Sequence, residues 1–195
     1  MSVRAVPQSL KRELRISQSR VTQNLAELAV TDVAASKLRD AISQPSGLLS
    51  LSGSELTLVE RALGLNSGKP AVSLVGELVL VKRVPVDTGV SYGHIRKTSK
   101  DENLGLVALG FSDGLPRTLS DRFSATIDGV SYRSIGKMAM DQTVFELGDS
   151  SPSLGSEVHF FHDQFTIKDF AESAGITPLE LFGRINARVQ RIWTS

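Results

Sequence analysis

The 195-residue chain contains no cysteine, which excludes disulfides, thiolate nucleophiles and zinc–sulfur sites together and leaves packing and backbone hydrogen bonding to hold the fold. Such a chain fits a cytoplasmic setting. It also has almost no net charge: 22 Lys and Arg against 21 Asp and Glu give +1. No global field therefore argues for nucleic acid or an anionic membrane as partner. Long apolar runs are missing as well. The most apolar stretch, residues 74–81, is interrupted by Gly76 and Glu77 and falls far short of the ~20 residues of a bilayer-spanning helix. The first 25 residues set Arg4, Lys11, Arg12, Arg15 and Arg20 against Glu13 alone, but no apolar secretory core follows. Histidine is scarce too. Only His159 and His162 are neighbours in sequence, and their i, i+3 spacing suits a metal on a helix, whereas HFFHD reads as a strand end, so no metal site is expected.

Length sets a further bound: the chain can hold one domain with an ample core, or a smaller domain with a helical extension. A complete eight-stranded α/β barrel alone takes about 250 residues. Leu10, Leu14, Val21, Leu25 and Leu28 recur at helical intervals with polar residues between them, predicting an amphipathic helix docked on its own domain. A second helix is expected over residues 31–42, with Asp32 in its first turn, and a third starts from Ser54 as N-cap. Ser/Gly-rich stretches at 43–55 and 65–70 break this pattern.

After Pro70 the period becomes that of strands. AVSLVGELVLVKRVPV is apolar on both parities for much of its length and reads as a strand buried on both faces. Short apolar runs follow at LGLVALGF, FSATIDGVSY, TVFELG and SEVHFF, and Asp128-Gly129 predicts a type I′ hairpin turn. Thr166 with Asp169, and Thr177 before Pro178, start two closing helices. The chain thus divides into a helical N-terminal arm over residues 1–64 and a mainly β domain with flanking helices over residues 65–195, its strands closed into a barrel or sandwich to hide their edges.

Four blocks in the β part carry a family resemblance. KPAVSLVGELVLVKRVPVDTGVSYGHI from Lys69 to Ile95, GFSDGLPR from Gly110 to Arg117, IGKMAMDQ from Ile135 to Gln142 and RVQRIW from Arg188 to Trp193 resemble, in order, segments of the C-terminal domain of alanine racemase. Four blocks in register over about 125 residues are specific, where a lone SYG or MDQ is not. The resemblance implies that domain's β-barrel, here preceded by the helical arm. It also implies an active site formed between this domain and the barrel of another subunit, so that the expected partner is a second copy of the chain or a barrel-bearing protein.

By resemblance, Tyr92 matches the tyrosine base that takes the α-proton on one face of the substrate, and Met140 matches the backbone contact to the substrate carboxylate. Phe111, Asp113 and Asp141 are expected as neighbours of that site. A phenol serves as base only where a nearby cation favours its charged form. Two departures matter. The tyrosine of the family's GYADG is Phe111 here, without a hydroxyl. None of the eight lysines stands in surroundings similar to the family's cofactor lysine, so pyridoxal phosphate is expected only if a partner barrel supplies it, and a solitary racemase is not expected. RISQSRVTQNLAELA, from Arg15 to Ala29, resembles the opening of the family's barrel, which makes the arm a remnant of a deleted barrel in this reading. Two functions follow: a partial racemase module inactive alone, or a non-catalytic β-barrel interaction or regulatory domain of the same descent.

Overall fold

The computed structural model describes residues 10–28 and 30–195; Arg4 lies outside them. Alternation, not helical spacing, governs the first described segment. In RELRIS, Leu14 and Ile16 are buried and their neighbours are not, and the segment forms strand β1 (Arg12–Ser17). The helix expected over residues 10–28 is therefore corrected to α1 (Gln18–Ala26). Helix α2 (Asp32–Ser43) starts where the Thr31 hydroxyl accepts the Ala34 N–H at 3.4 Å. Helix α3 (Gly53–Ala62) is capped by Ser52 rather than Ser54, because Ser52 and Glu55 exchange reciprocal bonds between side chain and backbone and satisfy two orphan donors of the first turn.

Strand β2 (Val72–Val84) follows, buried on both faces near its start and opening to solvent at Leu80, Lys82 and Arg83. The short β3 (Gly89–Val90) and β4 (Arg96–Lys97) pair only with each other. Next come β5 (Glu102–Val107), β6 (Ser124–Ile127) and β7 (Val130–Arg133). Between β6 and β7, Asp128 and Gly129 have φ of 48° and 79°, both positive as a type I′ turn needs. The chain continues through β8 (Thr143–Gly148), β9 (Glu157–Phe161), α4 (Ile167–Ala174) and α5 (Pro178–Arg184). It does not close on the helical pair, since RVQRIW forms a last strand, β10 (Gln190–Thr194).

Antiparallel ladders join β2 to β1, β5 and β9, β5 to β8, β9 to β6, and β6 to β7. Between β7 and β8 there is no ladder. A single bridge from Ser134 to Phe145, and the Ile135 N–H bonded to the Val144 carbonyl at 2.9 Å, span that gap. Six strands thus run round a ring interrupted at one thin seam. Five of the eight phenylalanines form the aromatic core, with Phe123 against Phe145, Phe160 and Phe170 at 5.1–5.7 Å and Phe161 also on Phe170, and the half-buried Phe165 packs on Phe170 from outside.

Outside the ring, β1 lies between β2 and β10, and its pairing with β10 is parallel, Glu13 with Gln190 through Ser17 with Thr194. Val21, Leu25, Leu38, Ile42 and Val59 of the helices belong to the same buried cluster as Leu74 and Phe160 of the strands. Arg191 of β10 ties them further. Its guanidinium donates to the carbonyls of Ile42, Phe182 and Ile185 at the ends of α2 and α5 and lies over the Phe182 ring. Cations are favoured at helix C-termini, but without a carboxylate partner burial pulls Arg191 down to about 10.

Truncating Leu14 to Ala is expected to cost about 2–5 kcal/mol and to lower the unfolding midpoints of helices and strands together. Separate far-ultraviolet and tyrosine-fluorescence transitions would show instead that the first 64 residues are an independent arm. A second expectation concerns acid. Arg15 and Lys11 grip the Glu157 carboxylate at 2.6–2.9 Å and hold it at about 2, below its ordinary 4.5. A carboxylate depressed by folding contributes stability above its unfolded pKa and loses it as pH falls through the folded one. Urea midpoints should fall between about pH 4.5 and 2 and do so less steeply in Glu157→Gln.

Candidate functional site

Tyr92 sits in a strained turn. Ser91 before it has φ 58° and ψ −171°, a region that side-chain-bearing residues almost never adopt. Gly93 and His94 follow at φ 74° and 44°. Ser91 passes so near Gly136 that a Cβ there would meet its hydroxyl at 3.1 Å, and the His94 N–H returns to the Ser91 carbonyl at 3.3 Å. The Tyr92 side chain is left 69 % exposed. Lys137 brings its ammonium beside Gly93.

The loop carrying Met140 is clamped from behind by the turn at 110–114. Phe111 and Ser112 donate their N–H groups to the carbonyls of Ala139 and Met140 at 3.1 and 2.9 Å, and the Ser112 hydroxyl donates to Met140 O at 2.7 Å. So close an approach requires glycine at position 110, because a Cβ there would collide with the carbonyl oxygens of Ala139 and Met140. Met140 is 56 % exposed. Its carbonyl is doubly engaged, while its N–H meets no acceptor among the described residues.

Asp113 and Asp141 are brought together through Arg188, a residue of the fourth family block for which the sequence suggests no role in the site. Arg188 donates to the Ser112 hydroxyl at 2.6 Å, pairs with Asp141, and sets its Nε 3.3 Å from Asp113 Oδ1. Asp113 is wholly buried; its Oδ2 accepts the Gly110 N–H at 2.8 Å, and Arg12 reaches to 3.9 Å of Oδ1. Burial pushes the Asp113 carboxyl up, against the Gly110 N–H and the two arginines, whereas Arg188 and Ser112 hold Asp141 down. These carboxylates act as anchors of the loop. The available signal for Arg188 is a lone cation in one block and acidic residues in two others, which only the fold converts into contact.

Tyr92 and the 139–142 loop share a cavity of about 340 Å³ lined by Ser91, Tyr92, Ala139, Gln142 and Val144. Phe111, Asp113, Met140 and Asp141 do not line it; Phe111 lies half-buried under the guanidinium of Arg117 at 5.2 Å. A Schiff-base lysine is activated by desolvation or by a neighbouring cation within the site that holds the cofactor. None of the eight lysines is buried, none lines this cavity, and Lys11, Lys37 and Lys97 are bound to carboxylates. The residues present do not fit covalent attachment of pyridoxal phosphate. Among the described residues no group of three metal-ligating side chains occurs, and no helix is long and apolar enough to cross a membrane.

Replacing Ser91 with Gly is expected to stabilise the chain by about 1 kcal/mol, the relief of backbone strain less the added freedom of unfolded glycine. Equilibrium urea unfolding measures it; unchanged or reduced stability would mean that the turn stores no strain.

The model of the family described as "Alanine racemase, C-terminal domain" matches residues 71–193. The alanine racemase of Streptomyces coelicolor is 39 % identical over 131 residues, 65 % of this chain and 34 % of that protein. That of Aquifex aeolicus is 33 % identical over 124 residues, 64 % of this chain and 37 % of its own length. The chain therefore spans about a third of the length of the curated relatives it matches. Among solved structures, alanine racemase from Streptomyces lavendulae superposes with a TM-score of 0.63 at 35 % identity, covering 76 % of this chain and 39 % of that one. The Streptomyces coelicolor enzyme gives 0.66 at 28 % identity and covers 93 % of this chain and 55 % of its own. The mainly β architecture with its flanking helices is that of these enzymes' C-terminal part, and the chain belongs to the alanine racemase C-terminal domain family.

Proposed function

We propose that this chain forms one wall of an amino-acid racemase active site and works only when a barrel-bearing partner, on another subunit, closes the cavity beside Tyr92. The observation that carries this reading is the turn at 91–94: the chain holds Ser91 in a costly conformation, and the result is a phenol presented outward over a cavity that no lysine of the chain lines. Strain of this kind persists where the surroundings over-determine it, and it clusters at functional sites.

Racemisation needs proton transfer on both faces of the α-carbon. Tyr92 offers one such group, its Oη taking or returning the proton on one face. The free Met140 N–H matches a substrate carboxylate oxygen, which accepts hydrogen bonds only, and Arg188 with Asp113 keeps that loop in place. Pyridoxal phosphate held by the partner would supply the electron sink that makes the α-hydrogen acidic. The similarity to the Streptomyces coelicolor structure over 93 % of the chain supports reading residues before 65 as counterparts of that enzyme's other domain, in keeping with an internally shortened barrel. A second reading, a non-catalytic interaction domain, is favoured by Phe111, which lacks the hydroxyl of the family's tyrosine at that place.

Mixing experiments separate the two. A full-length alanine racemase whose own counterpart of Tyr92 has been changed to Phe should regain α-hydrogen exchange of alanine in deuterium oxide when this chain is added. Tyr92→Phe in the added chain should reduce that rescue by about 10²- to 10⁴-fold. Alone with pyridoxal phosphate, the chain should yield no borohydride-reducible adduct on a specific lysine. No rescue, or equal rescue by the variant, would leave the interaction domain as the better account.

A further inference from the structure

A second concavity lies on the outer face of β6, β7 and β9 and shares no lining residue with the Tyr92 cavity. The register of these strands builds it. Thr126 stands opposite both Ser131 and His159, and Ser124 opposite Arg133; directly opposed residues point to the same face. Beneath them Ala125, Ile127, Tyr132 and Val158 are buried. The loop after β9 adds His162, Gln164 and Phe165, and Arg122 closes the near side, giving a hollow of about 550 Å³.

Its charge is one-sided. No carboxylate lines it, and neither Arg122 nor Arg133 makes an ion pair among the described residues. Of the acidic residues nearest in sequence, Asp121 pairs with Arg96 and accepts the Gly136 N–H, Asp163 pairs with Arg20, and Glu157, gripped by Arg15 and Lys11, also lies 3.6 Å from Nε2 of the lining His159. Hydroxyl donors are also available. His162 Nδ1 accepts the Gln164 N–H at 3.3 Å, so in the neutral ring Nε2 carries the proton and donates to Thr126 Oγ1 at 3.2 Å. The Thr126 hydroxyl proton is then free for a guest, as are the hydroxyls of Ser124 and Ser131.

We propose that this hollow binds a small organic phosphate, a phosphate monoester with a flat apolar body. Two guanidinium groups and three hydroxyls offer more donors than the two oxygens of a carboxylate can use, whereas a phosphoryl group presents three terminal oxygens and favours the planar fork of arginine. The ring of Phe165 at the rim provides the surface for the apolar body. The site stands independently of the racemase reading, since no residue of the Tyr92 turn or of the Met140 loop takes part.

Titration of the isotopically labelled full chain with phenyl phosphate at constant ionic strength, followed by amide NMR, tests the proposal. Saturable shifts should centre on residues 122–133 and 159–165, inorganic phosphate should compete, and phenol should not. The doubly substituted Arg122→Ala, Arg133→Ala chain should bind at least about tenfold more weakly, each lost charged hydrogen bond being large enough for that. Ser131→Glu, an exposed position that leaves both arginines in place, should abolish binding by adding a carboxylate to the hollow. Shifts that do not saturate or spread over the whole surface, equal binding of phenol, or undiminished binding by the glutamate variant would each overturn it.

Discussion

Strand β2 has to satisfy different neighbours along its thirteen residues, and the rest of the molecule is arranged by how it does so. Over Val72–Gly76 it pairs with β1, over residues 74–77 with β9, and from Leu78 to Val84 with β5. The change of partner falls between Glu77 and Leu78, and a register shift within the β5 ladder follows at once, between Leu78 and Leu80, as a bulge does when it bends a strand and increases its twist. Gly76 permits that bend to be packed, since a Cβ there would meet Val107 and Leu109 at 2.9 Å. One bent strand thereby belongs both to the ring and to the outer layer that carries β1 and β10. A residue lost from β2 would disturb both at once.

The side facing the candidate site depends on a different kind of order, a charge cluster with one buried member. Removing a charge from water is costly unless partners surround it, and Asp113 has Arg188, Arg12 and the Gly110 N–H. The arginines come from β1 and from the segment before β10, whereas Asp113 lies in the middle of the chain. The outer layer therefore does more than cover the core: it fixes the loop bearing Met140 through Ser112 and Asp141. Tyr92 is held instead by the surroundings that keep Ser91 in its strained conformation, the close approach of Gly136 and the return bond from the His94 N–H.

Local signals in the sequence were legible wherever neighbouring residues decide the structure. The Asp128-Gly129 turn, the Thr166–Asp169 cap and the strands from Thr143 and Glu157 all rest on propensity and short-range hydrogen bonds, and the family blocks carried the likeness of the whole β part. What escaped was decided at long range. Leu14 and Ile16 alternate over too few residues to outweigh the helical spacing of Leu14, Val21 and Leu25, and β1 exists because β2 and β10 pair with it. The terminal strand β10 was hidden in the same way. Tyr92 and Met140 were legible by resemblance; the clamp of Arg188 and the conformation of Ser91 were not, because neither is written in a spacing.

The parallel pairing of β1 with β10 sets Leu14 beside Arg191 and Ile16 beside Trp193. During synthesis the β1 segment leaves the ribosome long before the residues that complete its outer edge exist. Contacts of such sequence separation slow folding, since the chain must lose loop entropy before they reward it. Through most of translation one edge of β1 offers unpaired amides and carbonyls to whatever strand is near. The charged residues Glu13 and Arg15, interleaved with the apolar pair, then serve the nascent chain as protection against a wrong partner before they serve the finished fold.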